Sequence, residues 1–159
     1  MPAPTTPSKE ELAMMETATR NQTAVAMALG GLVVLEAVVF LLAALLHVGV
    51  RVPVGFVEPR IIPAAIVEGL IGVFFAVSAY AVFARQTWAW SAAIGAHVFA
   101  LLGTLLGVFA LAVGGGPRTE ANTIYHYVML GVIIVGLVLL LTPIARAALG
   151  RGSRASSRR

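Results

Sequence analysis

Four apolar stretches, at about residues 24–48, 61–84, 87–113 and 122–145, each exceed the roughly 20 residues a helix needs to cross about 30 Å of hydrocarbon. Inside a bilayer every backbone N–H and C=O must find its partner within the segment, so stretches of this kind are read as helices. The reading is therefore an all-α, integral membrane, up-down four-helix bundle over residues 23–146. Composition agrees, because 59% hydrophobic and 11% charged residues leave too little polar surface to coat a water-soluble globule.

The connections fit antiparallel neighbours. Arg85-Gln86 joins the second and third spans so tightly that they must pack side by side. The links at residues 51–60 and 114–121 are rich in Gly, Pro and charge, as exposed loops are. Lys9, Arg20, Arg85, Arg146, Arg151, Arg154, Arg158 and Arg159 share one side, against Arg51, Arg60 and Arg118 on the other. Positive charge near span ends stays in the cytoplasm, which predicts a multi-pass protein of the cell membrane with both termini cytoplasmic. Trp88 and Trp90 at one interface and Tyr125 and Tyr127 at the other read as an aromatic belt.

Residues 1–22 are expected to form a cytoplasmic arm. Ser8 and Glu11 have capping-box spacing, so this arm is either a short interfacial helix or a frayed segment. The acidic residues Glu10, Glu11 and Glu16 argue against a cleavable signal peptide. Residues 147–159, with RGSRASSRR, are expected to be a disordered basic tail drawn to anionic lipid headgroups. The net charge of +4 thus points to the bilayer as partner and not to nucleic acid. The chain has no cysteine, which excludes disulfides and thiolate chemistry.

Five ionisable residues lie at or within the spans: Glu36, His47, Glu68, His97 and His126. A charge at mid-bilayer costs about 2.5–3.5 kcal/mol, so such residues face a bundle interior and take partners. Glu36 and His47 are eleven residues apart, close to three turns, and form a stripe on one face about 16 Å long. Depth counting gives an outer group of His47, Glu68 and His126 with Tyr125 or Tyr127, and an inner pair of Glu36 and His97.

Each also has a plainer role. Glu68 opens a small-residue stripe with Gly72, Ala76 and Ala79, and Gly103 with Gly107 makes a GxxxG; both are helix-packing devices. His97 would equally serve as hydrogen-bonding glue across the bundle, and His47 and His126, near an interface, would reach headgroups or water.

Carboxylate and imidazole together suit a proton, a small lipophilic ligand or a metal held by His47, Glu68 and His126. Haem between His47 and His126 is a variant, weakened by the single histidine per span. Three other readings stand beside this one. The chain would be a membrane enzyme using Glu36 and His97 as acid and base on a lipophilic substrate. It would be a proton-coupled small exporter, by analogy with four-span exporters that carry a glutamate in their first span. Or it would be an accessory subunit of a larger membrane complex, or a homo-oligomer, with polar residues that only lock helices. No HExxH or ExxH spacing chooses among them.

The runs VEPRIIPAAIVEGL and RTEANTIYHYVML, with the tryptophan-flanked third span carrying His97, resemble a group of small, uncharacterised four-span proteins of actinobacterial type. In size and span count the chain is also similar to the DoxX-like class. The resemblance covers residues 25–145 and implies topology, with no activity carried over.

Overall fold

The computed structural model describes residues 8–51, 58–116 and 118–150. The expectations for the first seven residues and for the tail over residues 151–159 lie outside that range. The described residues form five helices: α1 (Lys9–His47), α2 (Ile62–Phe83), α3 (Ala89–Val113), α4 (Glu120–Leu140) and α5 (Pro143–Leu149). The first four are long and apolar enough to cross a membrane.

The capping box at the start of α1 is present: the Glu11 amide donates to Ser8 Oγ at 3.2 Å, and the Ser8 amide donates to Glu11 Oε2 at 2.7 Å. Its consequence differs from a separate interfacial helix. The capped segment runs without a break into the first span, giving 39 residues and a rod about 58 Å long. That is nearly twice the hydrocarbon thickness, and residues 9–21 are exposed all round. At its far end α1 stops in a Schellman turn, with Gly49 at φ +94° and Val50 N–H donating to Leu45 O. The α2–α3 turn uses the same device with Arg85 at φ 52°, a left-handed conformation that glycine would adopt more easily.

The fourth span is shorter than its hydrophobic run. Thr142 precedes Pro143, and a residue before proline is driven out of the helical region; Thr142 sits at ψ 147°. Its hydroxyl then accepts from the Ala145 amide and caps α5. Residues 147–149, expected in the tail, are therefore helical, and Ala145 and Leu149 bury against Leu29 of α1 and Ala89 and Ala93 of α3. Trp90 is not only a belt residue either. Its indole N–H donates to Leu140 O at 2.9 Å, satisfying one of the last carbonyls of α4, and the Arg146 guanidinium lies 4.9 Å over its ring.

Side-chain size is distributed inside out. The buried faces carry Ala37, Ala43, Ala65, Ala79, Ala81, Ala93, Ala96 and Ala100, while Leu35, Leu102, Phe109 and Val135 point outward. Small residues let helices approach, and large apolar ones suit an exterior of lipid chains. The helices pack in sequence order, α1 on α2, α2 on α3 and α3 on α4, while α1 and α4 barely meet. α2 comes close to the α1 backbone at Gly72, where a Cβ would lie 3.1 Å from the Leu41 backbone nitrogen and 2.7 Å from its Cγ.

That approach sets a test. Gly72→Val forces α1 and α2 apart and should cost about 1–3 kcal/mol, lowering the unfolding midpoint in detergent. Gly69→Ala, whose Cβ would meet only Ala44 Cβ at an ordinary 3.8 Å, should leave the midpoint unchanged or raise it.

Candidate functional site

The close α1–α2 contact brings together two residues of the expected outer group. His47, the last residue of α1, places Nδ1 2.6 Å from Oε2 of Glu68, two turns into α2, and both side chains are buried. The Ile61 amide donates to the His47 carbonyl at 2.9 Å, so the backbone at the head of α2 is tied to the same point. With Nδ1 facing the carboxylate, the nitrogen left for other chemistry is Nε2, which is buried and has no hydrogen-bond partner.

The inner pair also meets. His97 Nε2 lies 3.3 Å from Glu36 Oε2, and the two side chains are 0% and 1% exposed. Gly136 of α4 makes the room: a Cβ there would stand 2.4 Å from His97 Nε2. His97 Nδ1 donates to the Ala93 carbonyl at 2.8 Å, which fixes its proton on that nitrogen because a carbonyl only accepts. One further proton between Nε2 and Glu36 leaves the pair neutral overall, the only inexpensive state at this depth. Between the two pairs, Phe40 and Phe75 stack at 5.9 Å, and Phe75 meets the His97 ring edge-on at 5.0 Å.

His126 does not join the outer pair as a third ligand. Its Nδ1 donates to the Asn122 carbonyl at 2.8 Å, and its Nε2 is packed against Gly107, where a Cβ would meet it. Among the described residues no three His or acidic side chains gather as a metal-ion ligand set, so His47, Glu68 and His126 are not arranged as the metal centre the sequence suggested. Tyr127 is 60% exposed on the outer surface and leaves the candidate set. Its neighbour Tyr125 turns inward instead, edge-on to Phe40 and His126, with its buried hydroxyl unpartnered and within the field of Glu68.

Two cavities flank this polar group. A cleft of about 750 Å³ opens where α1 and α4 fail to meet, walled by Leu42, Leu46, Ile124 and Val128, with His47 and Tyr125 as its inner polar residues and Glu58 and Glu120 at its loop end. A smaller cavity of about 210 Å³ lies between α2, α3 and α4, and Glu68, Asn122 and His126 line it. The loops above are tied together, since the Thr119 hydroxyl donates to Glu58 at 2.7 Å while accepting from the Asn122 amide.

Sequence reasoning missed Asn122, Glu58 and the buried Thr104 and Ser78. Asn122 carried a signal: it stands one turn before His126, where its carbonyl can fix the histidine ring. No protein-family profile matches the chain, and neither a curated protein nor a solved structure matches it. The actinobacterial and DoxX-like resemblances gain no support from these comparisons, and the four-span architecture stands on the helices themselves.

Two glycines of α4 separate packing around the inner pair from helix propensity. Gly136→Ala should lower the unfolding midpoint, costing about 1–3 kcal/mol, by pushing His97 off Glu36. Gly131→Ala has nothing within 4 Å of the added methyl and should be neutral or stabilise by up to about 1 kcal/mol.

Proposed function

We propose that the chain is an intramembrane binding protein for a lipophilic molecule with a hydrogen-bonding polar head. The observation that carries this reading is the α1–α4 cleft, whose largely apolar lining includes His47 and Tyr125 at its inner end. Pockets that hold small molecules combine largely apolar linings with a few placed polar groups, and this cleft has that composition. A head bearing carbonyl or hydroxyl oxygen would bond to His47 and Tyr125, while its tail would lie against Leu42, Leu46 and Val128 and leave sideways between α1 and α4. The arginine asymmetry supports placing the protein in the cell membrane with cytoplasmic termini, so the cleft opens in the extracytoplasmic half.

A second reading, a membrane enzyme, draws on the same pair. A carboxylate on Nδ1 orients an imidazole so that Nε2 gives or takes a proton at whatever occupies the cleft. The proposed acid and base are then Glu68-supported His47, since Glu36 and His97 line neither cavity.

Protein purified in a mild detergent and analysed by native mass spectrometry should carry a hydrophobic small molecule in near-stoichiometric amount. Leu42→Trp and Val128→Trp, which fill the cleft from its lipid side, should lose it with the fold intact, and His47→Asn should retain it several-fold less well. Equal retention by the filled variants would sink the proposal.

A further inference from the structure

Glu68 divides two spaces. Its Oε2 faces His47 and, beyond it, the wide cleft; the smaller cavity lies on the other side, roofed by Gly115 and Gly116 of the α3–α4 connection. The side chains that give this cavity polarity are Glu68, Asn122 and His126, and no Lys or Arg lines it among the described residues. Glu68 Oε1 and Asn122 Oδ1 are buried without a hydrogen-bond partner. His126 spends its Nδ1 proton on the Asn122 carbonyl, so the neutral ring keeps a lone pair at Nε2. The residues of the wall thus include a carboxylate, an amide and an imidazole, each with an acceptor atom.

Such a wall selects a donor-rich cation. The remaining lining, from Val67, Leu106 and Ala110, is aliphatic, so part of the guest must be apolar. At about 210 Å³ the space is several times the roughly 30 Å³ that one water occupies, which suits an ion carrying a short carbon body better than a bare ion. We infer that the smaller cavity is a binding site for a small protonated amine, whose N–H groups bond to Glu68, Asn122 and His126.

The arrangement has a consequence for protons. The side chains facing Glu68 are His47 from α1 and Tyr125 and His126 from α4, with Glu58 of the loop facing His47 in turn. When His47 holds a proton on both nitrogens, the His47–Glu68 pair is neutral. An ammonium group brought to Glu68 would then leave a buried net charge, which is costly in this medium. Loss of the Nε2 proton of His47 into the wide cleft restores neutrality. One proton therefore leaves for each amine that enters.

The test uses the full chain in lipid nanodiscs, titrated with n-propylammonium chloride and separately with 1-propanol, its neutral isostere, at constant ionic strength. Calorimetry should show saturable binding of the ammonium salt and none of the alcohol, and a pH-sensitive dye in weak buffer should report one proton released per amine. Glu68→Gln should weaken binding about tenfold or more, as expected when a charged acceptor is lost. Because that variant also disturbs His47, Ala110→Phe serves as an independent control. It fills the cavity from its aliphatic wall, spares the His47–Glu68 pair, and should abolish binding while circular dichroism stays that of the parent. The absence of saturable binding, equal binding of amine and alcohol, or undiminished binding by Ala110→Phe would overturn the site. Binding without proton release would overturn the exchange.

Discussion

A carboxyl group surrounded by hydrocarbon must be neutralised, and the bundle is arranged around the two that it encloses. Each is met by one histidine of another helix, Glu36 by His97 of α3 and Glu68 by His47 of α1, and in each case a glycine permits the approach. Gly72 brings α2 against α1 one turn beyond Glu68, and Gly136 leaves space on α4 for the edge of His97. Replacing an apolar residue by a glutamate in such a helix demands a partner, a tautomer and a gap at once. Alanine-lined interfaces supply the gaps, while the large apolar side chains point outward.

The two pairs answer the same demand with different surroundings. Glu36 and His97 are shut in on all sides, with the second histidine nitrogen committed to a backbone carbonyl. That is how a polar lock is built. His47 and Glu68 stand between two cavities with Nε2 and Oε1 unpartnered; Glu36 Oε1 is unpartnered too, but Glu36 lines neither cavity. Groups left without partners in a buried site are costly, and their retention fits a site whose partners arrive from outside the chain.

The sequence made the helices legible because length and hydropathy alone decide them, and helical periodicity placed Glu36 and His47 on one stripe. Depth counting also paired the inner and outer residues correctly, since rise per residue is nearly constant in a membrane helix. It failed for rotation. His126 and Tyr127 lie at the right level, yet His126 turns toward α3 and Tyr127 toward the exterior, and only Tyr125 faces the centre. Which way a helix turns depends on its neighbours' shapes, and the near-absence of contact between α1 and α4 is written in no single residue. The break at Leu141 and Thr142 was, by contrast, readable: a proline after a cap-forming threonine ends a helix whatever the hydropathy around it.

The two ends of the bundle are held differently. At the end where the chain leaves α4, Trp90 holds the Leu140 carbonyl, and α5 crosses to α1 and α3, so residues of all five helices share one cluster. At the other end α4 keeps its seat on α3, where His126 packs against Gly107, and its loop is tied by the Thr119 hydroxyl to Glu58. The two ends of α4 thus differ in how many helices hold them, and the wide cleft lies at the end held by fewer.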